Sequence, residues 1–300
     1  MPAPAHFLTG AELDAGRLDL LLHRAAALKE KPLSARTLEG RTVALLFQQP
    51  STRTRTSFEA GIVEMGGHPM VLRANELQLT RGESVKDTAL VLSRHVASIG
   101  LRTGDEQELA QLAEHATVPV INLLSPHDHP CQALADLLTL REAFGSLEGR
   151  VVAYVGDGNN VARSLAVLGA TAGLEVRVAA PDGYQLEAGG TDAVLTDDPA
   201  EAVKGADVVY TDVWVSMSDD EETAAARREA LARYRLDAQL LDRAKPEAFA
   251  LHCLPAHPGE EITEDVLYGD RQRIWDQAEN RRHAQKALLE LLVSPQPEDG

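Results

Sequence analysis

The sequence predicts an α/β protein of two domains, each a mainly parallel sheet flanked by helices. Short apolar runs, β-branched in part, recur between Thr42 and His252, and helical patterns separate most of them. At 300 residues the chain is long enough for one large or two medium cores. The stretch "FGSLEGR", Phe144 to Arg150, directly precedes a new strand run and marks the expected boundary. This divides the chain into domains at 1–145 and 146–300.

In chain order, "TGAE" (Thr9 to Glu12) reads as a capping box that opens a helix towards Leu28. "TVALLF" (Thr42 to Phe47) reads as a buried strand. After Pro50, Phe58, Ile62 and Met65 fall on one helical face, and Gly66 and Gly67 end that helix. Further strands are expected at "HPMVL", "VASIGL", "VPVIN", "RVVAYVG", "LEVRVA", "ADVVYT" and "AFALH". "SVKDTALVLSRHV" and "HPCQALADLLTLREAFG" are helical. The charged stretch "SMSDDEETAAARREALARY" is expected to be exposed at its start. Ala284, Ala287, Leu288, Leu291 and Leu292 form a last helical stripe, stopped by Pro295 and Pro297.

Composition narrows the partners. A formal net charge of -17 argues against nucleic acid and anionic membrane surfaces, though not against a small anion held by a local cationic cluster. No apolar run approaches the roughly 20 residues of a membrane span, and no secretory signal is visible. Two cysteines, Cys131 and Cys253, fit a reducing cytoplasm better than a disulfide scaffold.

The residues suited to chemistry sit just after the strand runs. In "PSTRTRTSFE" a helix starts within the motif, where unpaired N–H groups and the helix dipole favour an anion. Hydroxyls of Ser51, Thr52 and Thr54 with Arg53 and Arg55 make a dense phosphate cradle, or an ordinary N-cap with two solvated arginines. In "HPCQALADLL" Pro130 suits a first helical turn, and His129 and Gln132 point to one side, as donors or as cap and packing residues. "GDGNNV" resembles the start of a dinucleotide fingerprint, with Asp182 as the ribose acid, but Val161 stands where a third glycine is expected. Gly156 and Gly158 equally serve a tight turn at the sheet edge. "TDVWVSM" offers Asp212 to a ligand ammonium group. "HCLPAH" places Cys253 beside His252, but no four-ligand metal pattern exists, so no metal is expected.

Taken together and in this order, "PSTRTRTSFE", "LQLTRGESVKDTA", "LRT", "HPCQALADLLTLRE", "GDGNNV", "TDVWVSM", "HCLPAH" and "DQAENR" resemble the ornithine carbamoyltransferases over nearly the whole chain. The resemblance implies an active site in the cleft between a carbamoyl phosphate-binding domain and an ornithine-binding domain. A C-terminal helix of about 280–293 would pack back on the first. It implies that Ser51, Thr52, Arg53, Thr54, Gln78, Arg102, His129, Gln132, Cys253, Leu254 and Arg281 serve carbamoyl phosphate. Asn160, Asp212, Ser216 and Met217 would serve ornithine. Arg102, His129, Cys253 and Asp212 would act in catalysis, with Gln78 reaching a neighbouring subunit's site in a homotrimer or assembly of trimers. No cofactor is implied, and the product would be citrulline, in cytoplasmic arginine biosynthesis. One departure is Ser218, where the family usually has glycine after "SM". The competing readings are a carbamoyltransferase for aspartate, acetylornithine or putrescine, a dinucleotide-dependent oxidoreductase, and a non-catalytic regulator on the same fold.

Overall fold

The computed structural model describes residues 5–187, 191–215 and 220–294. It contains two fully parallel sheets. The first has the order β2-β1-β3-β4, from β1 (Thr42–Phe47), β2 (His68–Arg73), β3 (Ser98–Arg102) and β4 (Val120–Leu124). Its helices are α1 (Ala15–Glu30), α2 (Thr52–Glu64), α3 (Val85–Leu92), α4 (Glu106–His115) and α5 (Pro130–Phe144). The second sheet has the order β7-β6-β5-β8-β9, from β5 (Val151–Val155), β6 (Glu175–Ala179), β7 (Val194–Thr196), β8 (Val208–Thr211) and β9 (Phe249–His252). With it go α6 (Asn160–Thr171), α7 (Pro199–Val203), α8 (Glu221–Leu231), α9 (Ala238–Leu241) and α10 (Glu264–Leu267), and the chain closes on α11 (Ile274–Val293).

Central strands of parallel sheets are covered on both faces, so they read as continuous apolar runs. β1, β5 and β8 are of this kind, buried at nearly every position. β2 and β7 are edges, and their outward positions are correspondingly exposed. The opposite edge at β9 is closed by main chain: Ala250 N–H donates to Arg271, and Arg273 N–H donates back to Ala250.

Two compact units result, one of Met1–Leu138 with Glu279–Gly300 and the other of Thr139–Ala278. The division falls inside α5, a few residues before "FGSLEGR", and α11 also crosses it. In the first unit α11 is pinned to α1 and α2. Lys286, fully buried, donates to Glu64 Oε2 at 2.6 Å and to the carbonyls of Pro32 at 3.0 Å and Leu28 at 3.3 Å. Arg24 and Thr37 both donate to Glu290.

Two local expectations are corrected. "TGAE" does not cap α1, because the Glu12 carboxylate accepts from the N–H groups of Leu8, Thr9 and Gly10 and closes a separate turn. The cap is Asp14, which accepts from Arg17 N–H at 2.8 Å. The short edge strand β7 was not anticipated. α2 starts as expected, with Ser51 as its cap, and Gly66 at φ +81° supplies the left-handed residue that ends it. No helix among the described residues is long and apolar enough to cross a membrane.

Candidate active site

Parallel strands deliver their following loops to one edge of each sheet, which is where ligands bind in such folds. In the first unit, β1 runs into Ser51–Thr54, β3 ends at Arg102, and β4 leads to His129. Phe47 is paired with Arg102 and Arg102 with Leu124, so the three loops start level with one another. α11 brings Arg281 to the same place, only 2% exposed. Its NH2 donates to Thr54 Oγ1 at 2.7 Å, its NH1 donates to Gln132 Oε1, and the same nitrogen lies 3.5 Å from His129 Nε2. Thr54, His129 and Gln132 are all buried.

The charges of this cluster are legible in His129. Burial, then the positive charges of Arg281, Arg102 and Arg53, hold its pKa well below the ordinary histidine value. The ring is therefore neutral at physiological pH and carries a single N–H. Because the folded pKa is depressed, the unfolded chain takes up this proton first. Stability is full above the unfolded value of about 6.5 and declines as pH falls below it. Thermal unfolding midpoints are expected to drop below about pH 6.5, and His129→Gln to remove part of that decline. A histidine signal that titrates with the ordinary midpoint in NMR would contradict this.

Several polar groups of "STRTRTS" are spent on the helix. Ser51 Oγ accepts from Thr54 N–H at 3.3 Å, Thr56 donates back to Thr52 O, and Ser57 to Thr54 O. Arg55 pairs with Glu59 at 2.9 Å, one turn on. Arg53, Thr54, Arg102, His129, Gln132 and Arg281 form a dense, cation-rich polar set at a helix N-terminus, suited to an anion that also carries a carbonyl oxygen.

The second unit assembles a different group. Asp212, just after β8, is buried; its Oδ2 accepts from Asn159 Nδ2 at 2.9 Å and its Oδ1 from the Cys253 thiol at 2.8 Å. Asn159 also caps α6, its Oδ1 accepting from Val161 and Ala162 N–H and from the Tyr154 hydroxyl. Burial, then Asp212 and Cys253, push the Tyr154 pKa well up, so this hydroxyl stays a donor. Cys253 is held from behind. Leu254 N–H donates to His252 Nδ1 at 2.8 Å, and His252 Nε2 faces the fully buried Glu261 at 3.1 Å. Leu254 sits at φ +62°, a costly conformation for a branched side chain, which this backing maintains.

Asp212, His252 and Cys253 are close enough to be considered as metal ligands. Nδ1 of His252 already accepts from Leu254, however, which puts the ring proton on Nε2 towards Glu261 and leaves no lone pair for an ion. A carboxylate lined by a thiol suits an amine instead.

Of the remaining sequence candidates, Asn160 opens α6 beside its cap and Leu254 follows Cys253. Gln78 heads a short 3-10 turn, Gln78–Arg81, and is exposed. Ser216, Met217 and Ser218 lie outside the described residues. The dinucleotide reading loses one of its supports at Gly158: a Cβ there would come within 2.2 Å of Leu186 N, so the close approach of the chain's own backbone already requires this glycine. The sequence drew attention to His252 only as a neighbour of Cys253, and Asn159, Glu261 and Asp136 have no sequence signal of their own. An Asn four residues before an Arg, or a Glu eight residues after a Cys, carries no signal until the partner is known.

A family model described as "Aspartate/ornithine carbamoyltransferase, carbamoyl-P binding domain" matches residues 5–142, and one for the family's "Asp/Orn binding domain" matches residues 148–292. With the fold and both residue groups in place, the chain belongs to the aspartate/ornithine carbamoyltransferase family. Within it, its similarity is to the ornithine enzymes. It is 54% identical over 301 positions to the ornithine carbamoyltransferase of Acidothermus cellulolyticus, covering 96% of each chain. To the anabolic ornithine carbamoyltransferase of Pyrococcus furiosus it is 50% identical over 271 positions, covering 86% of this chain and 85% of that one. The solved structure of ornithine carbamoyltransferase from Pyrococcus furiosus superposes with a TM-score of 0.91 at 45% identity, over 97% of each chain.

Proposed function

We propose that the protein transfers the carbamoyl group of carbamoyl phosphate to the side-chain amine of L-ornithine, giving L-citrulline and phosphate. The observation that carries this reading is the buried Arg281, which bridges Thr54 and Gln132 beside a neutral His129. Such a fixed array suits an acyl phosphate, and the family and its ornithine-specific relatives supply the acceptor.

In this reading Ser51, Thr52, Arg53 and the N-terminus of α2 hold the phosphate. Arg102, His129 and the Thr54 hydroxyl face the carbamoyl oxygen, with Arg281 and Gln132 beside them. Asp212 and Cys253 receive the ornithine amine, together with Asn160, Ser216 and Met217, while Leu254 lies between the substrates and Gln78 serves a neighbouring subunit. The amine attacks only as the free base, because an ammonium has no lone pair. Its nitrogen bonds to the carbamoyl carbon, and negative charge grows on the carbonyl oxygen, where preorganised donors act as an oxyanion hole. The carbon–oxygen bond to phosphorus then breaks. Phosphate leaves with the electron pair and accepts the amine's proton. Much of the acceleration is positioning.

The same proposal makes the enzyme a cytoplasmic homotrimer or assembly of trimers in arginine biosynthesis, working without a cofactor. It assigns 1–145 to carbamoyl phosphate and 146–300 to ornithine, with about 280–293 returning to the first domain. The test is product formation with ornithine, aspartate, acetylornithine and putrescine offered separately. Citrulline from ornithine is expected, and carbamoylation of another acceptor but not ornithine would overturn the reading.

Asp212→Asn sharpens it. The new amide cannot accept on both sides, so either the Cys253 or the Asn159 contact is lost along with the charge. A hydrogen bond to a charged group is worth about 1.5–3 kcal/mol. kcat/KM for ornithine is expected to fall by about 10- to 150-fold in steady-state kinetics, with carbamoyl phosphate binding little changed.

A further inference from the structure

The network around Gln132 includes a residue that this chemistry does not call on. Asp136 lies one turn further along α5 and is fully buried, and its Oδ1 accepts from Gln132 Nε2 at 2.8 Å. The other end of the same amide faces Arg281, whose NH1 donates to Gln132 Oε1. Arginine has no acceptor and an ionised carboxylate has no donor, so these two partners define which end of the amide is which. A reversed amide would set donor against donor at Arg281 and acceptor against acceptor at Asp136. Burying a carboxylate is costly, so its retention points to a purpose beyond packing.

We propose that Asp136 is a positioning residue: it locks Gln132 with its oxygen towards the ligand, and so makes the site select an acyl phosphate whose acyl group carries N–H. The inference rests on the carbamoyl phosphate reading above. A carbonyl oxygen has two lone pairs, and Arg281 takes one at Gln132 Oε1. The other accepts from the carbamoyl NH2. Acetyl phosphate has nearly the same size and charge but presents a methyl group, which leaves a buried oxygen unpaired. Sites built around such a hydrogen bond reject the analogue lacking it far more strongly than apolar pockets reject a size change.

The test is the ratio of the inhibition constant of acetyl phosphate to the KM of carbamoyl phosphate, read in citrulline formation by the full-length enzyme. In the wild type this ratio is expected to be large, on the order of 10 to 100. In Asp136→Leu, which has no acceptor, Gln132 is held at one end only. The ratio is then expected to fall at least about fivefold, with KM for ornithine unchanged. In Asp136→Asn it is expected to fall at least about twofold, since a neutral acceptor holds the amide roughly half as strongly and can also offer its own NH2. A purely structural role would weaken both ligands together and leave the ratio unmoved, which overturns the proposal. Should the leucine variant fail to fold, the asparagine variant decides alone by the same criterion. A wild type that makes no citrulline would refute the proposed function itself, a result distinct from an unmoved ratio.

Discussion

Arg281→Leu is expected to lower kcat/KM for citrulline formation by about 10²–10³-fold, with little change in KM for ornithine. The side chain is buried and donates at once to Thr54 and Gln132. Its loss leaves two acceptors unpaired and removes a fixed positive charge beside the reacting carbonyl. In the proposed site Arg281 fixes Thr54, one of the oxyanion-hole groups, and misplacing one such donor is expected to cost as much as removing it, about 2.7–4 kcal/mol, which sets the range. Arg281→Lys is expected to recover only part of the rate, since an ammonium on a flexible stem cannot span both partners as the planar fork does. A second readout is independent of turnover. Arg281 is the largest charge depressing His129, so the histidine pKa should rise in the leucine variant. A rate loss below about fivefold would contradict the assignment.

Lys286→Met is expected to cause the largest loss of stability, without a direct effect on chemistry. The lysine ties Glu64 at the end of α2 to the carbonyls of Leu28 in α1 and of Pro32 just beyond it, and the lysine side chain is fully buried. Breaking a buried pair from one side costs about 3–5 kcal/mol. Glu64 keeps Arg282 at 3.2 Å and is itself partly exposed, which argues for about 3 kcal/mol. Calorimetry should show the midpoint lower by roughly 6–12 °C, at 2–4 °C per kcal/mol. Glu64→Gln should cost less, because Lys286 keeps its carbonyl partners. A shift of only about 1 °C in Lys286→Met would show that this junction does not hold the unit together.

The pattern of parallel strands was legible because buried strands here are continuous apolar runs bounded by polar loops. β7 was missed because it is three residues long and exposes Val194 and Leu195 at an edge, where neither alternation nor an apolar run develops. The start of α1 was misread because Thr9 and Glu12 have the spacing of a capping box, while Asp14 two residues on is an equally good cap and wins. In the candidate site, residue types at strand ends pointed to Arg53, His129, Gln132, Asp212 and Cys253 individually. Arg281 came only from family resemblance, since within α11 it is one of several charged residues on a helix of mixed character. Asp136 and Glu261 were not legible at all. Their roles lie in what they accept, Gln132 Nε2 in one case and His252 in the other, and a carboxylate in a sequence does not announce its partner. Gly158 shows the converse. Its glycine fits a phosphate fingerprint, yet the approach of Leu186 accounts for it fully.

The most direct test of the central claim follows the carbonyl carbon. Carbamoyl phosphate labelled with carbon-13 at that position would be incubated with the protein and L-ornithine and observed by NMR, with phosphate release measured in parallel. The label is expected to pass into the ureido carbon of citrulline, one phosphate appearing per citrulline formed. Label lost only to the breakdown products of carbamoyl phosphate, at the rate seen without protein, would contradict it.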